Sequence, residues 1–187
     1  MTMDTDKSAL RAELRARRDG FATDKEAAFV MPGWLRARIA PGTVVASYWA
    51  VGSEADPSGI ERDARMLGAA IALPHVAASR AVPMRFLAWS PGQPLVDGPM
   101  RLKQPAASAT ELVPDIILTP LIGFDDALNR LGQGAAYYDR AFARFPDALR
   151  IGVAWSVQEV PAVPVDPWDV PLHAVITERG LFMTGDW

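Results

Sequence analysis

The run Asn129-Arg130-Leu131-Gly132-Gln133-Gly134-Ala135-Ala136-Tyr137-Tyr138-Asp139 concentrates more potential chemistry than any other part of the chain. Small residues at 132, 134, 135 and 136 let a backbone come close to a ligand. A helix beginning just after them would turn unpaired N–H groups and a favourable dipole toward an anion. Arg130 adds a fixed positive charge. These properties describe a phosphate cradle, and a tight structural turn would have the same composition. The run is not a Walker loop, because it lacks Gly-Lys-Ser/Thr, and not a dinucleotide fingerprint, because Tyr137 replaces the third glycine. Asp139 would repel a phosphate held there unless a metal bridged the two, as magnesium does on nucleotides. Asp169, within Pro167-Trp168-Asp169-Val170-Pro171, is a second acid in a rigid loop. A cap or a surface position would explain either acid as well.

Near the start, a helix is expected over 7–18 with Asp6 as its N-cap. At roughly 100° per residue, Lys7, Arg11, Arg15 and Arg18 fall in one narrow arc with Leu10 and Leu14 beside it. Such a helix packs by its leucines and presents a basic stripe at the rim, either as a solvated face or as a phosphate contact. Other chemistries are excluded. There is no cysteine, so disulfides, thiolate metal sites and a cysteine nucleophile are absent. The two histidines, His75 and His173, lie in apolar, strand-like surroundings and are expected to be structural. Neither GxSxG nor HExxH occurs. A formal net charge of −3 speaks against a nucleic-acid partner. The acidic start and the lack of long apolar runs speak against a signal peptide and a membrane span, so a cytoplasmic location is expected.

These residues need elements to position them. A second helical stretch is expected from about Thr23, interrupted at Pro32-Gly33. Strands are expected over 43–49, 70–74, 84–89, 116–121, 151–154 and 174–177. Helices are expected over 57–67, with Asp56 as a possible cap, and over 137–144. A Pro/Gly-rich connection covers 90–114, and a turn lies at 125–129. This alternation predicts one α/β domain over 1–187, a three-layer α/β/α arrangement with a mainly parallel sheet. Ligands of such sheets bind beyond the carboxyl ends of the strands, here segments 49–56, 120–139 and 155–169.

The segment Pro114-Asp115-Ile116-Ile117-Leu118-Thr119-Pro120-Leu121, continuing through Asn129-Arg130-Leu131-Gly132 to Tyr137-Tyr138-Asp139-Arg140, resembles the signature of the 5-formyltetrahydrofolate cyclo-ligases (methenyltetrahydrofolate synthetases). Other pieces follow in the family's order. Lys7-Ser8-Ala9-Leu10-Arg11 resembles its opening K-x-x-L-R. Val51-Gly52-Ser53-Glu54-Ala55-Asp56 resembles its substrate loop. Met84-Arg85-Phe86 with Trp89 and Pro91-Gly92 resembles its next strand and turn, and residues 165–172 its last loop. The resemblance implies a three-layer fold that binds MgATP and a reduced folate, with or without a polyglutamate tail, and acts as a monomer. It also implies transfer of the γ-phosphoryl group to the formyl oxygen, attack by N10 and loss of phosphate, with no protein nucleophile.

Carried over by resemblance, the run from Lys7 through Ser8, Ala9 and Leu10 to Arg11 is an ATP-binding segment. So is the loop Arg130, Leu131, Gly132, Gln133, Gly134, Ala135, Ala136, Tyr137 and Tyr138, with Arg130 the catalytic cation. Trp49, Glu54, Gln133, Gly134, Ala135, Ala136 and Tyr137 would contact the folate, and Asp139 and Asp169 would hold magnesium. Two departures stand out. Ala136, and often Ala135, replace family glycines, and Met100 lies where a stacking aromatic is common. A negative φ is expected at Ala136, with two alanines leading into the helix. Two other readings remain open at this level: a non-catalytic paralogue that binds nucleotide or folate, and an ATP-using enzyme of related fold acting on another N-formyl or carboxylate metabolite.

Overall fold

The computed structural model describes residues 3–22, 29–79 and 81–184. In chain order the elements are α1 (Met3–Ala22), α2 (Gly33–Arg36), β1 (Val44–Ala46), α3 (Ser58–Met66), β2 (Ala70–His75), β3 (Arg85–Ala88), β4 (Val96–Asp97) and β5 (Lys103–Gln104). They continue with β6 (Ile116–Pro120), β7 (Gly123–Phe124), β8 (Arg130–Leu131), α4 (Tyr137–Arg144), β9 (Leu149–Val153), β10 (Ala174–Thr177) and β11 (Gly180–Met183).

The central strands are short apolar runs, which suits strands covered on both faces. Seven of them form one sheet in the order β11-β10-β9-β6-β1-β2-β3. The inner strands β10, β9, β6, β1 and β2 are parallel, while β11 and β3 are antiparallel edges. Alternation along the strands divides the core. Val45, Ile116, Leu118, Ile151, Val153 and Ile176 pack on one face with Leu35 of α2, Ile60 and Ala64 of α3, and the end of α1. Ala46, Ala72, Ile117 and Val175 pack on the other with Ala141 and Phe142 of α4. Helices therefore cover both faces, and the expected three-layer α/β arrangement with a mainly parallel sheet is observed.

Several details differ from the sequence-based expectation. Helix α1 begins by Met3, so Asp6 lies inside it rather than at its cap. The helix expected from Thr23 falls partly on residues 23–28, outside the described residues; after Pro32 only the short α2 forms. The N-cap of α3 is Pro57 rather than Asp56, although Asp56 Oδ1 accepts a hydrogen bond from the Ser58 amide at 2.9 Å. The edges run antiparallel because their connections hold no crossover helix. Only Glu178 and Arg179 separate β10 from β11, which permits a hairpin alone. The connection 90–114 contains the small β4–β5 pair, and the 125–129 turn closes the β7–β8 hairpin.

Candidate active site

A cleft of about 700 Å³ opens at the carboxyl ends of β1, β2 and β6, lined there by Tyr48, Trp49, Pro74, Val76 and Pro120. This is where a parallel sheet places its ligands. Among the described residues, six basic side chains (Lys7, Arg11, Arg15, Arg18, Lys103 and Arg130) line it against four carboxylates, Glu54, Asp139, Asp166 and Asp169. In a chain of net charge −3, this excess of cations marks a site for anions.

Helix α1 supplies four of the cations. Leu14 is fully buried against Ile122, Leu131, Val160 and Val163, with Leu10 packed beside it. That anchorage turns the Lys7, Arg11, Arg15 and Arg18 face into the cleft. Lys7 is buried, its Nζ 2.5 Å from Asp166 Oδ2 and 2.7 Å from Asp169 Oδ2. Burial pulls the Lys7 pKa down, but hydrogen bonds and charge from the two acids more than reverse this, and the net shift is upward. Arg11 Nε donates to the Gly132 carbonyl at 2.9 Å, and Arg15 Nη2 to Gln133 Oε1 at 2.7 Å. Arg18 Nε donates to Ser53 Oγ at 2.9 Å. Ser8 and Ala9 are exposed and, like Leu10, do not line the cleft. The side chains that the opening motif contributes to the cleft are therefore Lys7 and Arg11.

All residues of the 130–139 loop line the cleft. Arg130 leaves β8 and donates through Nη2 to Asp139 Oδ1 at 2.7 Å, with its side chain only 5% exposed. Its Nε is buried with no hydrogen-bond partner. A Cβ at position 132 would sit 2.6 Å from Arg130 Nη1, so any larger residue than Gly132 would push the guanidinium from its place beside Asp139. Gly134 has φ +94°, a conformation that disfavours any side chain. Ala136 corrects the expectation of a negative φ: it is the residue before α4 and sits at φ 51°, ψ 24°, in the left-handed region. The helix does begin with Tyr137, but the chain enters it through a left-handed residue. That conformation gives a physical reason for the glycine usual in the resembling family.

The facing wall belongs to the loop after β1. Val51 N donates to Glu54 Oε2 at 3.0 Å, and Gln133 Nε2 approaches Glu54 Oε1 at 3.4 Å. Burial raises the Glu54 pKa, while the Val51 amide, the Arg18 charge and Gln133 pull the other way. Burial likewise raises the Tyr138 hydroxyl, with a further push from Glu54 and an opposing pull from Arg130. The Tyr48 hydroxyl donates to the Ala55 carbonyl, tying β1 to the end of this loop. Trp49 and Trp89 form a T-shaped pair at 5.9 Å between ring centres, and Trp49, 46% exposed, lines the cleft wall. Met100 lines the same cleft and is largely exposed.

Asp139 and Asp169, the expected magnesium ligands, both line the cleft and both have cationic partners. Among the described residues no group of three or more His, Cys, Asp or Glu is gathered to enclose an ion. Magnesium on a nucleotide needs only one or two carboxylates, the remaining oxygens coming from phosphate and water, and either of these acids has the chemistry to supply one. Sequence reasoning did not single out Asp166, Tyr48, Lys103 or Trp168. For Asp166 a signal existed, the i, i+3 acid spacing in Asp166-Pro167-Trp168-Asp169. His75 and His173 are outside the cleft lining; His75 Nδ1 is 3.0 Å from the Pro105 carbonyl, and His173 Nδ1 accepts from the Arg150 amide at 3.0 Å.

A doubly covered, mainly parallel sheet with a glycine-rich loop and a basic helix meeting over its strand ends defines an α/β protein with a cation-rich cleft. Residues 3–178 match the sequence profile of the 5-formyltetrahydrofolate cyclo-ligase family, and the chain belongs to that enzyme family. It is 30% identical over 186 residues to the 5-formyltetrahydrofolate cyclo-ligase of Mycolicibacterium smegmatis, covering 94% of this chain and 95% of the relative. With the Escherichia coli K12 cyclo-ligase it shares 28% identity over 174 residues, covering 88% and 96%. The fold is similar to the solution structure of Aquifex aeolicus 5,10-methenyltetrahydrofolate synthetase, with a TM-score of 0.77 at 24% identity over 97% of this chain and 94% of that one. A synthetase structure from Mycoplasma pneumoniae gives a TM-score of 0.64 at 20% identity, over 92% and 99% of the two chains.

Proposed function

We propose that this protein is an ATP- and magnesium-dependent 5-formyltetrahydrofolate cyclo-ligase, converting 5-formyltetrahydrofolate to 5,10-methenyltetrahydrofolate with release of ADP and phosphate. The observation that carries this reading is the meeting of the α1 cations with the 130–138 loop in one cleft, opposite Trp49 and Glu54. Phosphoryl transfer asks a protein chiefly for positioning and charge stabilisation, and this cleft is equipped for both.

ATP binds with its phosphates along Arg11 and the 132–136 backbone, and Lys7 and Arg130 offset the charge of the group in transit. Asp139 and Asp169 would hold magnesium, which when bound would supply further neutralisation of phosphate charge. The folate lies against Trp49, Tyr137 and Glu54, with its formyl oxygen turned toward the nucleotide. That oxygen takes the γ-phosphoryl group as ADP leaves. N10 then attacks the activated formyl carbon, and the C–O bond breaks to release phosphate. The folate supplies its own nucleophile, which agrees with a chain without cysteine or a catalytic histidine. One copy of the chain contains every residue used, so the monomer suffices. A cytoplasmic reaction fits, and no helix among the described residues is long and apolar enough to cross a membrane.

Incubation with MgATP and 5-formyltetrahydrofolate should produce the methenyl absorbance together with equimolar ADP. AMP as product, or tight ATP binding without turnover, would exclude the mechanism, and the second result would assign a binding role instead. ATP hydrolysis uncoupled from the folate would point to a different acceptor.

A further inference from the structure

Lys7 differs from the other cleft cations contributed by α1. Arg11, Arg15 and Arg18 donate to a carbonyl, an amide and a hydroxyl, all neutral acceptors, and the one carboxylate paired with them is the exposed Asp19, 3.9 Å from Arg18. Lys7 alone donates to two carboxylates, 2.5 Å to Asp166 and 2.7 Å to Asp169. The acids are fixed by their own turn. The Asp166 amide donates to Asp169 Oδ2 at 2.8 Å, and the Asp169 amide to the Asp166 carbonyl at 3.0 Å. The turn ties Asp169 through its side chain and Asp166 through its backbone, which leaves the Asp166 carboxylate free to stay with Lys7.

A phosphate drawing on Lys7 in this state must compete with two negative charges and then lie beside them. We propose that Asp166 is a positioning residue: it holds Lys7 in the cleft and makes nucleotide entry depend on the divalent cation. This inference rests on the ATP- and magnesium-dependent reading of the site. With the cation present, Asp169 is drawn to it, and Lys7 is shared between phosphate and Asp166 alone. Without it, Lys7 stays locked between both acids, and the polyphosphate meets two uncompensated carboxylates. The raised pKa of Lys7 agrees with a tight ionic clasp.

The test is calorimetric titration of ATP into wild type and Asp166→Asn, once with magnesium and once with a chelator. The isosteric amide keeps the turn and still accepts from Lys7. The variant should bind magnesium-free ATP roughly tenfold more tightly than wild type, because one charge opposing the phosphates is gone. Its affinity for MgATP should change much less, so the preference for the magnesium complex shrinks. Asp166→Ala removes the same charge and should move the ratio in the same direction, while Asp166→Glu should restore it. An unchanged ratio, or equal weakening of both forms, would overturn the inference and leave Asp166 a structural anchor. If wild type binds ATP under neither condition, the nucleotide reading of the cleft falls as well.

Discussion

Ala136 occupies a backbone conformation that L side chains adopt at a cost of about 1–2 kcal/mol and glycine adopts almost freely. Ala136→Gly should therefore raise stability by about 1 kcal/mol, roughly 2–4 °C in Tm for a domain of this size, measured by thermal denaturation. Because the backbone already holds the shape, nucleotide affinity should change little. A fall in Tm would show that alanine is the relaxed residue there. Sequence alone could not settle this point, since two alanines before a helix read as its first turn and only the path of the chain out of β8 sets the sign of φ. The acids behaved similarly. Asp139 and Asp169 were legible as candidates, but their partners Arg130 and Lys7 were not. Asp169→Asn should weaken the magnesium dependence of activity with the fold intact, because Asp166 still holds Lys7. Asp139→Asn should do the same and also lower stability by about 1–3 kcal/mol, since it leaves the buried Arg130 without a charged partner. A magnesium titration that either substitution leaves unmoved would remove that acid from the metal site.

Helix α1 was the most legible element because its 3.6-residue period separates two jobs. Leu10 and Leu14 dock it, and the basic stripe one step around faces the cleft. Lys7→Ala or Arg11→Ala should raise the KM for ATP more than that for the folate, by about ten- to a hundredfold, the usual effect of losing a charge-assisted contact. Arg17, paired with Glu13 at 2.6 Å and outside the cleft lining, is the control and should change neither constant appreciably. Equal small effects at all three positions would reduce the stripe to a solvated face. The edge strands were less legible. β3 was found as a strand but its direction was not, and β11 was missed. The direction of β3 depends on the helix-free connection 76–84, which has no periodic signature, and β11 is only half-buried, so its patterning is weaker than that of a strand covered on both faces.

At the scale of the molecule, the alternation of apolar runs with amphipathic helices was enough for the layers and the mainly parallel sheet, because covering both faces requires continuous apolar strands. The site's location followed from the strand ends. What pattern reading could not supply was pairing across the chain, such as Lys7 with Asp166 and Asp169, which lie 159 and 162 residues away. Ligand binding should register globally: MgATP at a hundred times its Kd stabilises the folded state by about 2.7 kcal/mol, or roughly 5–11 °C in Tm. A shift with magnesium alone and none with MgATP would contradict a nucleotide site. The long span between Lys7 and its acids also has a consequence for biosynthesis. A ribosome delivers the lysine within the first second or two of elongation and its counter-ions many seconds later, at about 5–20 residues per second. Until residues 166–169 have left the exit tunnel, the basic helix has no clasp, and in a nascent or prematurely terminated chain Lys7 stands without its two acids.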